Sequence, residues 1–114
     1  MGVVYKIVAA DVWQAAEKAG VFAGAMIDLQ DGYIHFSTAA HAQRTAALYF
    51  AGQTDLLLVA VDGDVLGDAL VYEPSRDGAL FPHLYGPLAL ADTLWVKPLP
   101  LAADGRHVFP EDMA

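Results

Sequence analysis

The sequence predicts a single compact α+β domain, a small, split, mostly antiparallel sheet with two helices near the N-terminus. Three observations predict it. The hydrophobic periodicity runs strand, helix, strand, helix and then several strands, so helices gather early and strands late. Residues 56–61, Leu-Leu-Leu-Val-Ala-Val, are an unbroken apolar run, the mark of a strand covered on both faces. The 114 residues hold no repeat, no low-complexity segment and no linker, and a chain of that length buries one core without disulfides or a structural metal.

Residues 3–8 alternate apolar types densely and read as a largely buried strand. Lys6 interrupts it on the face of Val4 and Val8; such a lysine lies at a sheet edge, snorkels to water or faces a polar cleft. Asp11 reads as a helix N-cap with Gln14 three residues on, as in a capping box. Val12, Trp13, Ala16 and Ala19 form the apolar stripe of that helix, and Gly20 stops it. Residues 21–30 read as a loop that runs into an Asp31-Gly32 turn.

Residues 31–38, Asp-Gly-Tyr-Ile-His-Phe-Ser-Thr, are the stretch on which a site is expected. Strand alternation puts Tyr33, His35 and Ser37 on one face and Ile34 and Phe36 on the other. Ser37 or Thr38 then caps a second helix over 39–51, with Ala42, Ala46, Tyr49 and Phe50 packed, and this helix covers the back of the strand. Beyond 56–61, Asp62-Gly63-Asp64 is a turn. Residues 69–73 form a strand with Val71 and Glu73 on one face, and 74–78 a loop. A short strand begins at Leu84-Tyr85 and closes at Gly86-Pro87, and a last strand spans 93–97. The tail, 98–114, carries Pro98, Pro100, Gly105 and Pro110 and is expected to be extended and loosely held.

Composition excludes several classes of function. Cysteine is absent, which removes disulfides, thiolate metal sites and a cysteine nucleophile and fits a cytoplasmic protein. The formal net charge is -8 with six Lys and Arg spread thinly, against phosphate-based nucleic-acid binding. Hydrophobic residues make up 56% and mean hydropathy is +0.38. Even so, no apolar run reaches the length of about 18 residues that a membrane span needs. The start of the chain lacks the basic-then-apolar pattern of a signal peptide. An anionic ligand would need a local group such as Lys6, Arg44 or Arg76.

Three side chains could carry chemistry. His35 is either a general acid/base and ligand-orienting group or a core histidine bonded to a carbonyl. Beside it, Ser37 and Thr38 stand at a helix start, where a phosphate could sit. His83, in Phe81-Pro82-His83-Leu84-Tyr85-Gly86-Pro87, belongs to a stiff loop with Tyr85 at strand spacing; it is a preorganised site residue or a packed turn. Glu73 is either a carboxylate for ribose hydroxyls or a developing cation, or a strand-end charge paired with Arg76. No HExxH spacing, G-x-S-x-G turn, P-loop or G-x-G-x-x-G exists, so a metal site and a serine-hydrolase triad are not expected.

Tyr5-Lys6-Ile7, Trp13, Gly20, the 31–38 stretch, Tyr72-Glu73-Pro74 and the 81–87 stretch together resemble the DUF952 family of small bacterial and plant proteins, over nearly the whole chain. That family is distantly similar to the ADP-ribosyltransferase fold, including its RNA 2′-phosphotransferase branch. The resemblance implies a cleft for NAD or an ADP-ribose-like group. Lys6 falls at the first motif, where active transferases carry His or Arg, and a lysine cannot make the same planar contacts. His35 with Ser37 falls at the second motif, and Glu73 or His83 near the third. The expectation is a small-molecule site for NAD or a phosphorylated nucleotide, with His35, Glu73 and His83 as catalytic groups. Lys6, Ser37, Thr38, Arg76 and Tyr85 are its ligand-binding groups, and NAD is a substrate. The alternative is a non-catalytic binding or protein-interaction module that keeps the cleft.

Overall fold

In the computed structural model, which describes residues 2–75, 78–111 and 113, the apolar run forms the middle of the largest sheet. β1 (Val3–Ala9) and β4 (Leu56–Asp62) pair antiparallel, from Val3 against Asp62 to Ala9 against Leu56. β8 (Thr93–Pro98) pairs with the other edge of β4, with a register shift at Ala60/Val61. A central strand sees apolar neighbours on both faces, and Leu58, Val59, Ala60 and Val61 are completely buried. Val59 and Val61 pack with Val4, Val8, Trp13, Phe22 and Leu84, while Leu58 and Ala60 pack with Tyr5, Ile7, Ala46 and Leu99. The two cores lie on opposite faces of one sheet, as the period of two requires.

A second antiparallel sheet has the order β3 (Ile34–His35), β6 (Leu80–Leu84), β5 (Leu70–Pro74). A two-stranded ribbon joins β2 (Val21–Phe22) to β7 (Leu88–Ala89). The two larger sheets touch at Tyr5 and Ser37, whose backbones exchange two N–H···O=C bonds of 2.8 Å. Residues of β1 and of the β3–β6 sheet around that bridge line a cleft. The α+β class and the split antiparallel arrangement therefore stand as expected from sequence.

Several local expectations are corrected. α1 (Ala10–Ala19) starts one residue before Asp11, so Asp11 lies inside the first turn and is no cap. Its carboxylate accepts from the Val12 N–H at 2.8 Å and meets the positive helix end. Residues 26–31 are no loop: they form α2 (Met26–Asp31), and Gly32 is its left-handed C-cap, φ 88°, donating to the Asp28 carbonyl. Asp62 caps the short α4 (Gly63–Leu66) in place of a plain turn.

α3 (Ala39–Tyr49) packs Ala46 into the core on the Tyr5 and Ile7 face of β1. It does not cover the back of β3, since Ile34 and Phe36 enter the opposite core. Tyr49 on α3 is exposed. The late short strand lies earlier than expected: β6 contains Phe81, Pro82 and His83 and ends at Leu84. Pro82 is tolerated in this central strand because it faces the end of the β3 ladder, where its carbonyl accepts from Phe36 N–H at 3.0 Å. The tail is held too. Leu99 is 1% exposed, Leu101 bridges His107, and the His107 ring bonds the Gln53 carbonyl at 2.8 Å.

Candidate functional site

β3 and β6 place His35 directly opposite His83. Side chains opposite one another share a face of the sheet, and the two rings lie 5.5 Å apart between centroids. Tyr33 stacks on His83 at 4.1 Å and leans on His35 at 4.7 Å. These three rings, with Lys6, Asp31, Ser37, Thr45 and Ser75, line a cleft of about 570 Å³. Its apolar walls are Ile7, Ile27, Phe36, Tyr49, Phe50 and Phe81.

Each imidazole is held by carboxylate. His35 Nδ1 lies 2.6 Å from Asp28 Oδ1, and His35 Nε2 lies 3.0 Å from Asp31 Oδ2. Asp28 is 1% exposed and is the hub of the back wall. It accepts from Lys6 Nζ at 3.0 Å and 2.9 Å, one bond to each carboxylate oxygen. It also accepts from the backbone N–H groups of Ala25 and His35. Burial works to raise the Asp28 carboxyl, but the bonds from His35, Lys6 and Ala25 outweigh it and hold the group down at about 2. Burial pushes the Lys6 ammonium below its ordinary value, with Asp28 pulling it back up. The anion is thus the better stabilised member of the pair, because four donors converge on it.

On the other strand His83 Nδ1 meets Glu73 Oε1 at 2.7 Å, and the Tyr85 hydroxyl donates to the same oxygen at 2.7 Å. The Tyr85 and His83 bonds hold the Glu73 carboxyl below the usual range, and the Glu73 bond pushes the Tyr85 phenol up to about 12. Burial, then the negative charges of Asp31 and Glu73, raise Tyr33 as well.

The fold therefore gathers the expected residues unevenly. His35, Ser37, His83 and Lys6 line the cleft. Glu73 and Tyr85 stand behind His83 and reach the cleft through its ring. Lys6 is 6% exposed and its charge is taken by Asp28. Thr38 is the N-cap of α3, its hydroxyl bonded to His41 Nδ1 at 3.1 Å, and Ser37 bonds Thr45 at 3.1 Å. Arg76 lies outside the described residues. Among the described residues no cluster of three or more His, Cys, Asp or Glu is arranged to hold a metal ion, and no helix is long and apolar enough to cross a membrane. Sequence reasoning passed over Asp28 because 21–30 lacks helical periodicity, and it read Asp31 only as a turn residue. The usable signal was an acid three positions into a turn that precedes a glycine.

These features define a small α+β protein with a cleft between two antiparallel sheets and a carboxylate-anchored histidine from each of two adjacent strands. The chain belongs to the DUF952 family, described as "Protein of unknown function (DUF952)", which matches residues 7–96. It is similar to protein CC0527 from Caulobacter crescentus. The crystal structure of that protein has 45% sequence identity, covers 93% of both chains and superposes with a TM-score of 0.90. Its solution NMR structure has 46% identity, covers 93% of this chain and 91% of that one, and gives 0.84. No curated protein matches the chain.

Proposed function

We propose that the cleft binds a ribose-bearing small molecule of the NAD or ADP-ribose class. The observation that carries this reading is the pairing of two carboxylate-anchored imidazoles on one face of the β3-β6 sheet, under an aromatic ring and at an open cleft. Carboxylates and imidazoles suit ribose hydroxyls, which both donate and accept. Tyr33, Tyr49, Phe50 and Phe81 suit the flat face of a base or nicotinamide. In the enzymatic form of this reading, His35 and His83 orient the ribose, and Glu73, acting through His83, and Asp31 stabilise positive charge that develops at the anomeric carbon.

A second reading has its own support. The resemblance to the transferase fold implies a His or Arg where this chain has Lys6, and the Lys6 ammonium is engaged by both Asp28 oxygens. This favours a site that binds an ADP-ribose-like ligand without turning it over.

Thermal shift and NMR titration with NAD and ADP-ribose test binding. The expected result is a raised Tm and shifts at Tyr33, His35 and His83. A folded sample that ignores ligand on the order of millimolar refutes the proposal. Where NAD binds, nicotinamide release is compared among wild type, His35→Ala and Glu73→Ala. Release that falls in both variants supports turnover, and binding with no release supports the second reading.

A further inference from the structure

The two histidines are not equivalent, and the difference lies in what each ring has left to offer. His35 has a carboxylate at both nitrogens: Asp28 Oδ1 at Nδ1 and Asp31 Oδ2 at Nε2. Only a ring carrying a proton on each nitrogen donates to both, and such a ring has no lone pair for a ligand. His83 is anchored at one nitrogen alone. Its Nδ1 meets Glu73 Oε1, which the Tyr85 hydroxyl also holds. Among the described residues its Nε2 has no hydrogen-bond partner, and the ring lines the cleft while being 5% exposed.

We infer that His83 Nε2 is the proton-accepting atom of this site, that Glu73 is the residue that positions it, and that the ligand presents a hydroxyl to it. A carboxylate at Nδ1 selects the tautomer with the proton on Nδ1 and the lone pair on Nε2. A second fixed element, the Tyr33 ring stacked at 4.1 Å, prevents the imidazole from turning over. In the step itself the proton leaves the ligand oxygen for Nε2, the O–H electron pair stays on that oxygen, and the Nδ1 proton stays on Nδ1, hydrogen-bonded to the Glu73 carboxylate. His35, with a carboxylate at both nitrogens, has no nitrogen left to accept from the ligand and serves to orient it. The groups facing His83 are Glu73 on β5, His35 on β3, and Tyr33 and Tyr85 from the flanking segments; among the described residues none of them is hydrogen-bonded to Nε2. The inference rests on the ligand reading above only for the identity of the hydroxyl, which is then a ribose hydroxyl.

Long-range nitrogen–proton NMR of the full chain, under conditions where free imidazole is neutral, reads the tautomer directly. The expected spectrum shows His83 protonated at Nδ1 and bare at Nε2. In Glu73→Ala the ring shifts toward the Nε2–H form that free imidazole favours, a change that a merely structural carboxylate would not produce. Adding ADP-ribose then moves the His83 Nε2 signal. A wild-type ring protonated at Nε2, or a tautomer indifferent to Glu73→Ala, overturns the inference whatever ADP-ribose does. The expected tautomer with no response to ADP-ribose overturns the ligand reading above and leaves Nε2 as the acceptor.

Discussion

Lys6 on β1 and Asp28 on α2 form a buried fork, with the ammonium 3.0 Å and 2.9 Å from the two carboxylate oxygens and the side chains 7% and 0% exposed. Removing one member of such a pair leaves an uncompensated charge in the interior. Asp28→Ala strands Lys6 and strips His35 of its Nδ1 partner, and it is expected to cost about 3–5 kcal/mol. Lys6→Met costs less, because Asp28 keeps His35 and the Ala25 N–H. Urea unfolding of both variants measures this. An Asp28→Ala loss below about 1 kcal/mol would show that the fork is not a structural element.

The same carboxylate sets an acid limit. Its value of about 2 in the folded chain lies below its ordinary 3.8. A depressed acid contributes stability that is complete above the ordinary value and disappears as pH falls toward about 2. The difference corresponds to about 2 kcal/mol at most, lost between roughly pH 4 and pH 2. Comparing unfolding free energies across that window in wild type and in Asp28→Asn isolates it, since the variant lacks this part of the slope.

Gly24 is the entry to α2 and holds φ +125°, with an added Cβ falling 2.9 Å from the Asp28 Cβ. Gly24→Ala therefore combines backbone strain with a clash against the hub residue, and should cost about 1–3 kcal/mol or more. Gly20, at φ +80° with nothing within 4 Å of its added Cβ, is the control. If Gly20→Ala and Gly24→Ala lower Tm equally, crowding at Asp28 contributes nothing.

His83→Asn separates anchoring from acceptance. The shorter amide retains a donor for Glu73 and loses the atom that faces the cleft. Cooperative unfolding is kept, and affinity for ADP-ribose falls about tenfold or more, the loss expected when one buried hydrogen bond goes. Calorimetric titration provides the measurement; unchanged affinity would place the ligand elsewhere.

Tyr85 reports on Glu73. Its phenol ionises at about 12 because it donates to Glu73 Oε1. In Glu73→Ala it should return toward the ordinary value of 10.0, read by ultraviolet titration against wild type. A Tyr85 that ionises identically in both proteins contradicts the bond.

Much of the fold is legible in the sequence because it follows from local periodicity. The run at 56–61 predicts the doubly covered β4, and alternation in 31–38 predicts that Tyr33, His35 and Ser37 reach the cleft. The helix at 26–31 is not legible: Met26, Ile27 and Leu29 are exposed and only Asp28 is buried, so the apolar stripe that marks a helix is inverted. The tail reads as loose from its prolines, yet Leu99 and the Leu101–His107 bridge hold it through contacts that no local pattern encodes.

The sequence by itself determined the class of fold, the central strand and two histidine-bearing stretches, since side-chain alternation depends only on neighbours in the chain. The tertiary structure alone decided that His35 faces His83, that Asp28 claims Lys6, and that Glu73 bonds His83. Those relations join residues 10 to 48 positions apart. They depend on sheet register and on which charge finds a partner when water is excluded.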